Sequence, residues 1–404
     1  MEKNTNNRII NDNKPVWGAI WAMSLCAMVL VALEFMPVSL LTPIATDLQI
    51  TEGTAGQSIS ISGVFALITS LFLTQIIGNK DRRHVLLFFT ALTGLSGILV
   101  AFAPDSTMLM IGRALLGMCI GGFWSMSAAT VMRIVSASSV PKALAILNGG
   151  TALSTTVAAP MGSFLGGIIG WRGAFFMIVP LTFIAFIWQY KSIPKLPKEN
   201  SNEQKEKFGS VLGLLKNWKV TLGMISVMLF FMGQSALFTY LRPFLEIVTR
   251  VNVETLSLVL LSMGIFGLMG TFIIEIMLKK RLYSLIIIIP FLMAITALLM
   301  LSFGTSLAAI FVLISIWGFL ATSAPVAWWT WLSRTLPTRA EAGGGLMVAI
   351  IQLAITLGAA FGGVFFDTSG YKSTFMFSAL ILGIATIMAC ITGFHVYRVA
   401  KNKN

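Results

Sequence analysis

The sequence predicts an all-α membrane protein of twelve transmembrane helices in two six-helix pseudo-repeats, with both termini cytoplasmic. Three observations carry that reading. Hydrophobic residues make up 56% of the 404 and charged ones only 11%, for a mean hydropathy of +0.88. Apolar runs of about 20 residues, the length that crosses a hydrocarbon core, recur from Trp17 almost to the C-terminus. Basic residues are also sorted between alternate connections.

The first run, 17–41, follows a basic N-terminus as a signal peptide would. It is too long for one and has no small-residue cleavage site, so it is read as a retained helix. Runs at 55–78, 84–103, 107–131, 142–168 and 172–190 complete a first set of six. A second set lies at 219–242, 255–278, 283–303, 306–333, 342–366 and 373–397. The connections are mostly a few residues, which makes consecutive helices neighbours in a bundle. The exception is the polar, lysine-rich stretch 191–218, read as a cytoplasmic linker between an N-terminal bundle (1–190) and a C-terminal bundle (219–404).

Net charge is +13, yet its placement speaks against nucleic acid. With both termini inside, 23 of the 28 basic residues fall on cytoplasmic segments and four (Arg172, Arg242, Arg250, Lys372) on outer ones. The last, Arg113, lies within a helix. That asymmetry is the positive-inside rule, and it sets the orientation. Cys26, Cys119 and Cys390 all sit in apolar helices, and His84 and His395 lie at helix ends without ligand spacing. No disulfide framework and no metal site is expected.

A shift of 200 residues lays "APMGSFLGGIIGWR" (159–172) over "AAFGGVFFDTSGYK" (359–372). Gly162 then matches Gly362, Gly170 matches Gly370, and Trp171 matches Tyr371. In the first helix of each half Glu34 lies over Gln234 and Pro43 over Pro243. Parallel repeats of this kind place a solute site at mid-membrane between the halves.

Several stretches resemble the major facilitator superfamily, and within it the drug/proton antiporter group. "GNKDRRHVLL" is a shortened form of its cytoplasmic loop, with Asp81, Arg82 and Arg83 present and the usual Gly-Arg pair absent. "LMIGRALLGMCIGG" resembles its buried-arginine motif, here Arg113 and Gly117. "LNGGTALSTTVAAPMGSFLGG" is similar to its exporter helix motif, carrying Gly150, Pro160, Gly162 and Gly166, with Ala159 where that motif has glycine. The wording from "EFMPVSLLTPIATDLQITEGTAGQS" through "DRR", "GGFWSMSA", "VPKAL" and "AAPMGSFLG" is similar to exporters of purine ribonucleosides. The resemblance implies a proton-coupled antiporter for inosine, adenosine, guanosine and purine analogues, in a bacterial cytoplasmic (inner) membrane. Exporters of sugars (arabinose-type) or of drugs on the same fold are the alternative.

Candidate site residues follow from cost. A carboxylate at helix depth is expensive and by default faces protein or a watery cavity. Glu34, in "VALEFMPVSLLTP", and Arg113 both lie ~10 Å from the outer face at the helical rise, so an ion pair is available between them. It either braces two helices or couples protons, with Glu34 taking the proton and Arg113 tuning its affinity. Because position 234 is Gln and position 313 is Leu, only one half has the titratable pair. For the cavity the candidates are Trp124, Gln234, Phe238, Trp317, Trp328, Gln352 and Thr356. Trp317 and Trp328 share a face of one helix despite Pro325 between them. An aromatic stripe is otherwise core or interfacial belt, and Trp329 and Trp331 are expected in the belt. Amides with aromatics suit a neutral, planar, hydrogen-bonding solute. Asp81, Arg82 and Arg83 are expected either as a latch between the two halves or as a solvated loop. The helices hold no nucleophile–base pair, so no enzyme is expected. No cofactor is expected beyond the proton gradient, nor any partner beyond a small-molecule substrate, protons and the bilayer around a monomer.

Overall fold

The computed structural model describes residues 17–77, 81–136, 139–196, 213–336 and 340–401. Every regular element in them is helical. First come α1 (Trp17–Asp47), α2 (Glu52–Ile77), α3 (Arg82–Ala101), α4 (Ser106–Ile134), α5 (Val140–Phe176) and α6 (Val179–Ser192). After a 3-10 turn (Gly213–Lys216) come α7 (Trp218–Thr239), α8 (Leu241–Phe244), a π turn (Leu245–Thr249), α9 (Val253–Phe303), α10 (Leu307–Thr335) and α11 (Ala340–Lys401). Of the expected linker, 197–212 lies outside the described residues. Below, the end of the bundle with the α1–α2 turn is called distal and the end with Trp17 proximal.

Among the described residues ten helical stretches are long and apolar enough to cross a bilayer, where the sequence reading drew twelve. The difference lies in 142–192 and 343–394, which are 51 and 52 residues long. Each is more than twice the ~20 residues one crossing needs. Both are interrupted by a glycine at dihedrals essentially closed to side chains: Gly170 (φ 77°, ψ 163°) and Gly370 (φ 75°, ψ −178°). At Gly370 the chain reverses, since the Thr374 hydroxyl donates to the Gly362 carbonyl at 3.0 Å. Helix α9 is broken at Arg281 (φ −133°, ψ 37°).

The same logic recurs at helix starts. Thr51 accepts the Thr54 amide (3.0 Å) ahead of α2, and Asn252 accepts the Thr255 amide (2.9 Å) ahead of α9. Asp105 caps α4 through Met108, and Ser306 caps α10 through Ala309. These short polar side chains satisfy amides that the first helical turn leaves open.

Buried apolar side chains form two large clusters. One is drawn almost wholly from 19–196 and the other almost wholly from 214–389. Tyr240 and Phe366, late in the chain, pack into the first. Outside the clusters a belt of large apolar side chains is exposed, with Phe394 at 77% and Ile276 at 72%. Such an area is met by lipid tails rather than water.

If Gly170 and Gly370 are required by their dihedrals, Gly170→Ala and Gly370→Ala each lower stability by about 1–3 kcal/mol. Gly383→Ala, at a helical glycine with open space around it, leaves stability unchanged or slightly raised. Thermal unfolding in detergent measures both.

Candidate functional site

Helix α1 carries two internal prolines, Pro37 and Pro43. A proline has no N–H to give the carbonyl four residues back, so the carbonyls of Leu33 and Ser39 lose their helical donors. In a bilayer a bare carbonyl must find another partner. Arg113, fully buried on α4, supplies one. Its Nη1 donates to Leu33 O at 2.6 Å, its Nη2 to Glu34 O at 3.3 Å and its Nε to Ser58 O at 3.1 Å. One guanidinium thereby ties α1 and α2 to α4. Gly117, one turn on, lets the arginine reach that far. Its Cβ position falls on the Ser62 backbone, so α2 and α4 approach at van der Waals distance there. The Ser62 hydroxyl donates to Arg113 O at 2.9 Å and closes the set.

This corrects the expected pairing. Among the described residues the ion pairs are Arg172–Asp47 and Arg242–Glu246, and Glu34–Arg113 is not one of them. Arg113 Nη2 reaches the Glu34 carbonyl, so the two residues lie at one level of the bundle, but the carbonyl that Pro37 frees takes the guanidinium. The Glu34 carboxylate is half-buried, with the Gln352 amide beside it and the Arg113 charge acting through space.

Around Glu34 the structure joins α1 and α2 to α7 and α11. Phe35 meets Phe238 edge-on at 5.9 Å. The Ser60 hydroxyl donates to Thr356 O at 3.1 Å, and the Thr356 hydroxyl reaches Ser60 O (3.4 Å) and Gln352 O (2.8 Å). Gly63 has Thr356 and Gln352 where a Cβ would be. Glu34, Phe238, Gln352 and Thr356 thus meet at one junction. Gln234 lies one turn from Phe238 on α7, and its Oε1 is buried without a partner.

The tryptophans are placed differently. Trp317 and Trp328 are each 1% exposed within the second apolar cluster, and the Trp317 Nε1 has no acceptor. Trp328 packs edge-on against Trp331 at 5.7 Å, and the half-buried Trp124 against Phe123 at 5.5 Å. Trp331 is not in an interfacial belt: it is buried, because Gly223 on α7 leaves room for its ring. Trp329 is 42% exposed.

The glycines of α5 lie along α1, with Gly150 against Ser24, Gly162 against Ser39 and Gly166 against Leu40. Pro160 frees the Thr156 carbonyl, and Gly264 of α9 approaches it so closely that a Cβ would lie 2.5 Å away. At the proximal end Asp81 accepts the amides of Arg83 and Leu196, each at 2.9 Å. The Arg82 amide donates to Leu196 O (3.3 Å), and Arg83 donates to Tyr190 O and stacks on its ring. These contacts go to the chain leaving α6, not to α7–α11. At the distal end Arg242 donates to Ser39 O, and Asp367 accepts the Thr51 hydroxyl (2.6 Å) and the Gly53 amide (3.0 Å). The sequence reading passed over both residues, although Pro43 was a signal that Ser39 O needs a donor.

Residues 23–346 match the family described as Major Facilitator Superfamily. The chain belongs to the Major Facilitator Superfamily. It is therefore a transporter of that superfamily and not an enzyme. It is 50% identical over 376 residues to the transcription regulatory protein OpdE of Pseudomonas aeruginosa, covering 93% of this chain and 94% of that one. It is 42% identical over 377 residues to the purine ribonucleoside efflux pump NepI of Salmonella paratyphi B, with the same coverage. In fold it is similar to the crystal structure of a point mutant of the nucleoside transporter NupG, with TM-score 0.71 and 12% identity over 92% of this chain and 98% of that one. A bacterial homologue of the lysosomal transporter Spinster, inward-facing and unoccupied, also superposes at TM-score 0.71, with 14% identity over 94% and 96% of the two chains.

Arg113→Gln tests the carbonyl cradle. A glutamine cannot serve all the carbonyls, and each one left bare costs about 1–3 kcal/mol. The variant should melt well below wild type in detergent even with Glu34 intact. Arg113→Gln melting like wild type would show the cradle to be dispensable.

Proposed function

We propose that the protein is a proton-coupled antiporter exporting purine ribonucleosides across the bacterial cytoplasmic membrane by alternating access. The observation that carries the reading is the half-buried Glu34 carboxylate in mid-helix, beside Gln352, where α1 and α2 meet α7 and α11. A carboxylate there is costly unless it does work. The charge asymmetry supports cytoplasmic termini, and with them a distal end outside. The reversals at Gly170 and Gly370 support twelve crossings, grouped as bundles 1–190 and 219–404. In this reading the distal contacts are closed while the site faces the cytoplasm. Glu34 takes its proton when the site faces outward and gives it up inside, where solute replaces it. The energy source is the proton gradient, with no cofactor. One proton crossing 100 mV supplies roughly 2.3 kcal/mol, enough for about a 50-fold gradient of a neutral solute.

The relatives named as purine ribonucleoside efflux pumps support the substrate class. So does the chemistry: Gln234 offers a free acceptor and Trp317 a free donor, both buried. A purine base has donors and acceptors on its edge and a face for Phe238 or the tryptophans. Export of sugars or drugs is the alternative on this fold. A second reading, a part in regulation, is favoured by the higher identity to OpdE.

Proteoliposomes with an imposed proton gradient should accumulate labelled inosine, with adenosine competing. Movement of arabinose or chloramphenicol with inosine ignored would overturn the substrate. Glu34→Gln should abolish gradient-driven transport and keep inosine exchange. Wild-type driven transport in that variant would remove Glu34 from the coupling role. A purely regulatory protein would keep its regulatory effect in Glu34→Gln, whereas a transporter would lose it.

A further inference from the structure

Each proline of α1 frees one carbonyl, and each freed carbonyl is held by an arginine. Leu33 O is held by Arg113, from the same half of the chain. Ser39 O is held by Arg242, which comes from α8, far along the sequence. Arg242 is 4% exposed, and its Nε is fixed at 2.8 Å by the Glu246 carboxylate one turn on. It is delivered to α1 by a break in the chain: α7 ends at Thr239, and Tyr240 turns into the short helix that carries Arg242. Tyr240 is fully buried and crosses the same boundary, its hydroxyl lying where Gly56 and Gly363 have no side chain.

We propose that Arg242 on the Ser39 carbonyl is the lock of the distal gate, and that Pro43 makes the lock possible by leaving that carbonyl open. The proposal rests on the alternating-access reading above and assigns Arg242 as a positioning residue. In a regular helix the residue-43 amide would occupy Ser39 O, and Arg242 would have only a weak, shared acceptor. With proline there, the carbonyl has no local competitor, so the cross-chain bond is the one that satisfies it. When the distal end opens, water at that end takes over the carbonyl. The contact is therefore strong in one state and replaceable in the other, as an alternating gate requires. At Leu33, deeper in the helix, the capping arginine is on the same half and does not need to let go.

The test uses a reporter cysteine at Val38, with the three native cysteines replaced by alanine. Val38 is 3% exposed and packs with Ile59 and Ala359, so it becomes reachable only when the distal end parts. A membrane-impermeant maleimide is added to the distal face of sealed vesicles. We expect Arg242→Gln to raise the labelling rate roughly fivefold or more, the scale of allosteric couplings, with Arg242→Lys between it and wild type. Pro43→Ala is the sharper variant. It adds a helical hydrogen bond to α1, yet by filling Ser39 O it should speed labelling as Arg242→Gln does. The double variant should label no faster than the faster single one. Faster labelling in Arg242→Gln but not in Pro43→Ala would overturn the carbonyl as the lock. Unchanged labelling in both, in protein that still transports, would overturn the lock and leave the transport reading standing. Labelling does not depend on which solute is carried, so a failed nucleoside assay leaves the lock standing.

Discussion

A polypeptide inside a bilayer must satisfy every backbone carbonyl from within itself, and in this protein that constraint falls hardest on α1. Its two prolines open the helix ladder at Leu33 and Ser39. The arginines that answer them are Arg113 and Arg242. Much else follows from holding α1 in place. Gly117 thins α4 against α2 so that the Arg113 fork also reaches Ser58. The glycines of α5 let that helix lie along α1 beside Ser24, Ser39 and Leu40. Glu34 is held at the junction with α11 because its own carbonyl, and the one before it, are pinned.

Polar side chains inside α2, α4, α5, α7, α10 and α11 are handled in two ways. Most serine and threonine hydroxyls bond back to the carbonyl three or four residues earlier, as Ser125, Thr356 and Ser226 do. A smaller set is buried with no partner, among them Gln234 Oε1, Trp317 Nε1, Ser58 Oγ and Ser154 Oγ. Leaving such groups bare costs free energy that a packed core would avoid. Ser58 and Gln234 lie on α2 and α7, which meet at the Glu34 junction, whereas Trp317 lies inside the second apolar cluster.

The architecture was legible because its signals are local or repeated. Bilayer-length apolar runs give the helices, and the shift that lays Gly170 on Gly370 found the two positions where long helices turn on left-handed glycine. The count of crossings blurred at those same turns, since each reversal is only a residue or two long. That Glu34 and Arg113 lie at one level of the bundle was also readable from helical rise. Their partnership was not, because depth does not say where a side chain points, and Pro37 offered the guanidinium a better acceptor. Trp331 went astray for a similar reason: a tryptophan near a helix end reads as interfacial until Gly223, distant in sequence, makes a slot for it. The roles of Arg242 and Asp367 were not assigned, because their partners are a backbone carbonyl and a helix start in the other half of the chain. Asp81 and Arg83 carried a recognisable motif, yet a motif does not say which segment they bind, and here it is the end of α6 and the residues after it.

The central claim is that solute and proton compete through Glu34. It is tested most directly by adding inosine to purified protein in weakly buffered detergent solution and following the pH with an indicator dye. Competition predicts that inosine binding releases protons from the wild type and none from Glu34→Gln, although that variant still binds inosine. Inosine binding without proton release from the wild type, or equal release from Glu34→Gln, would contradict it.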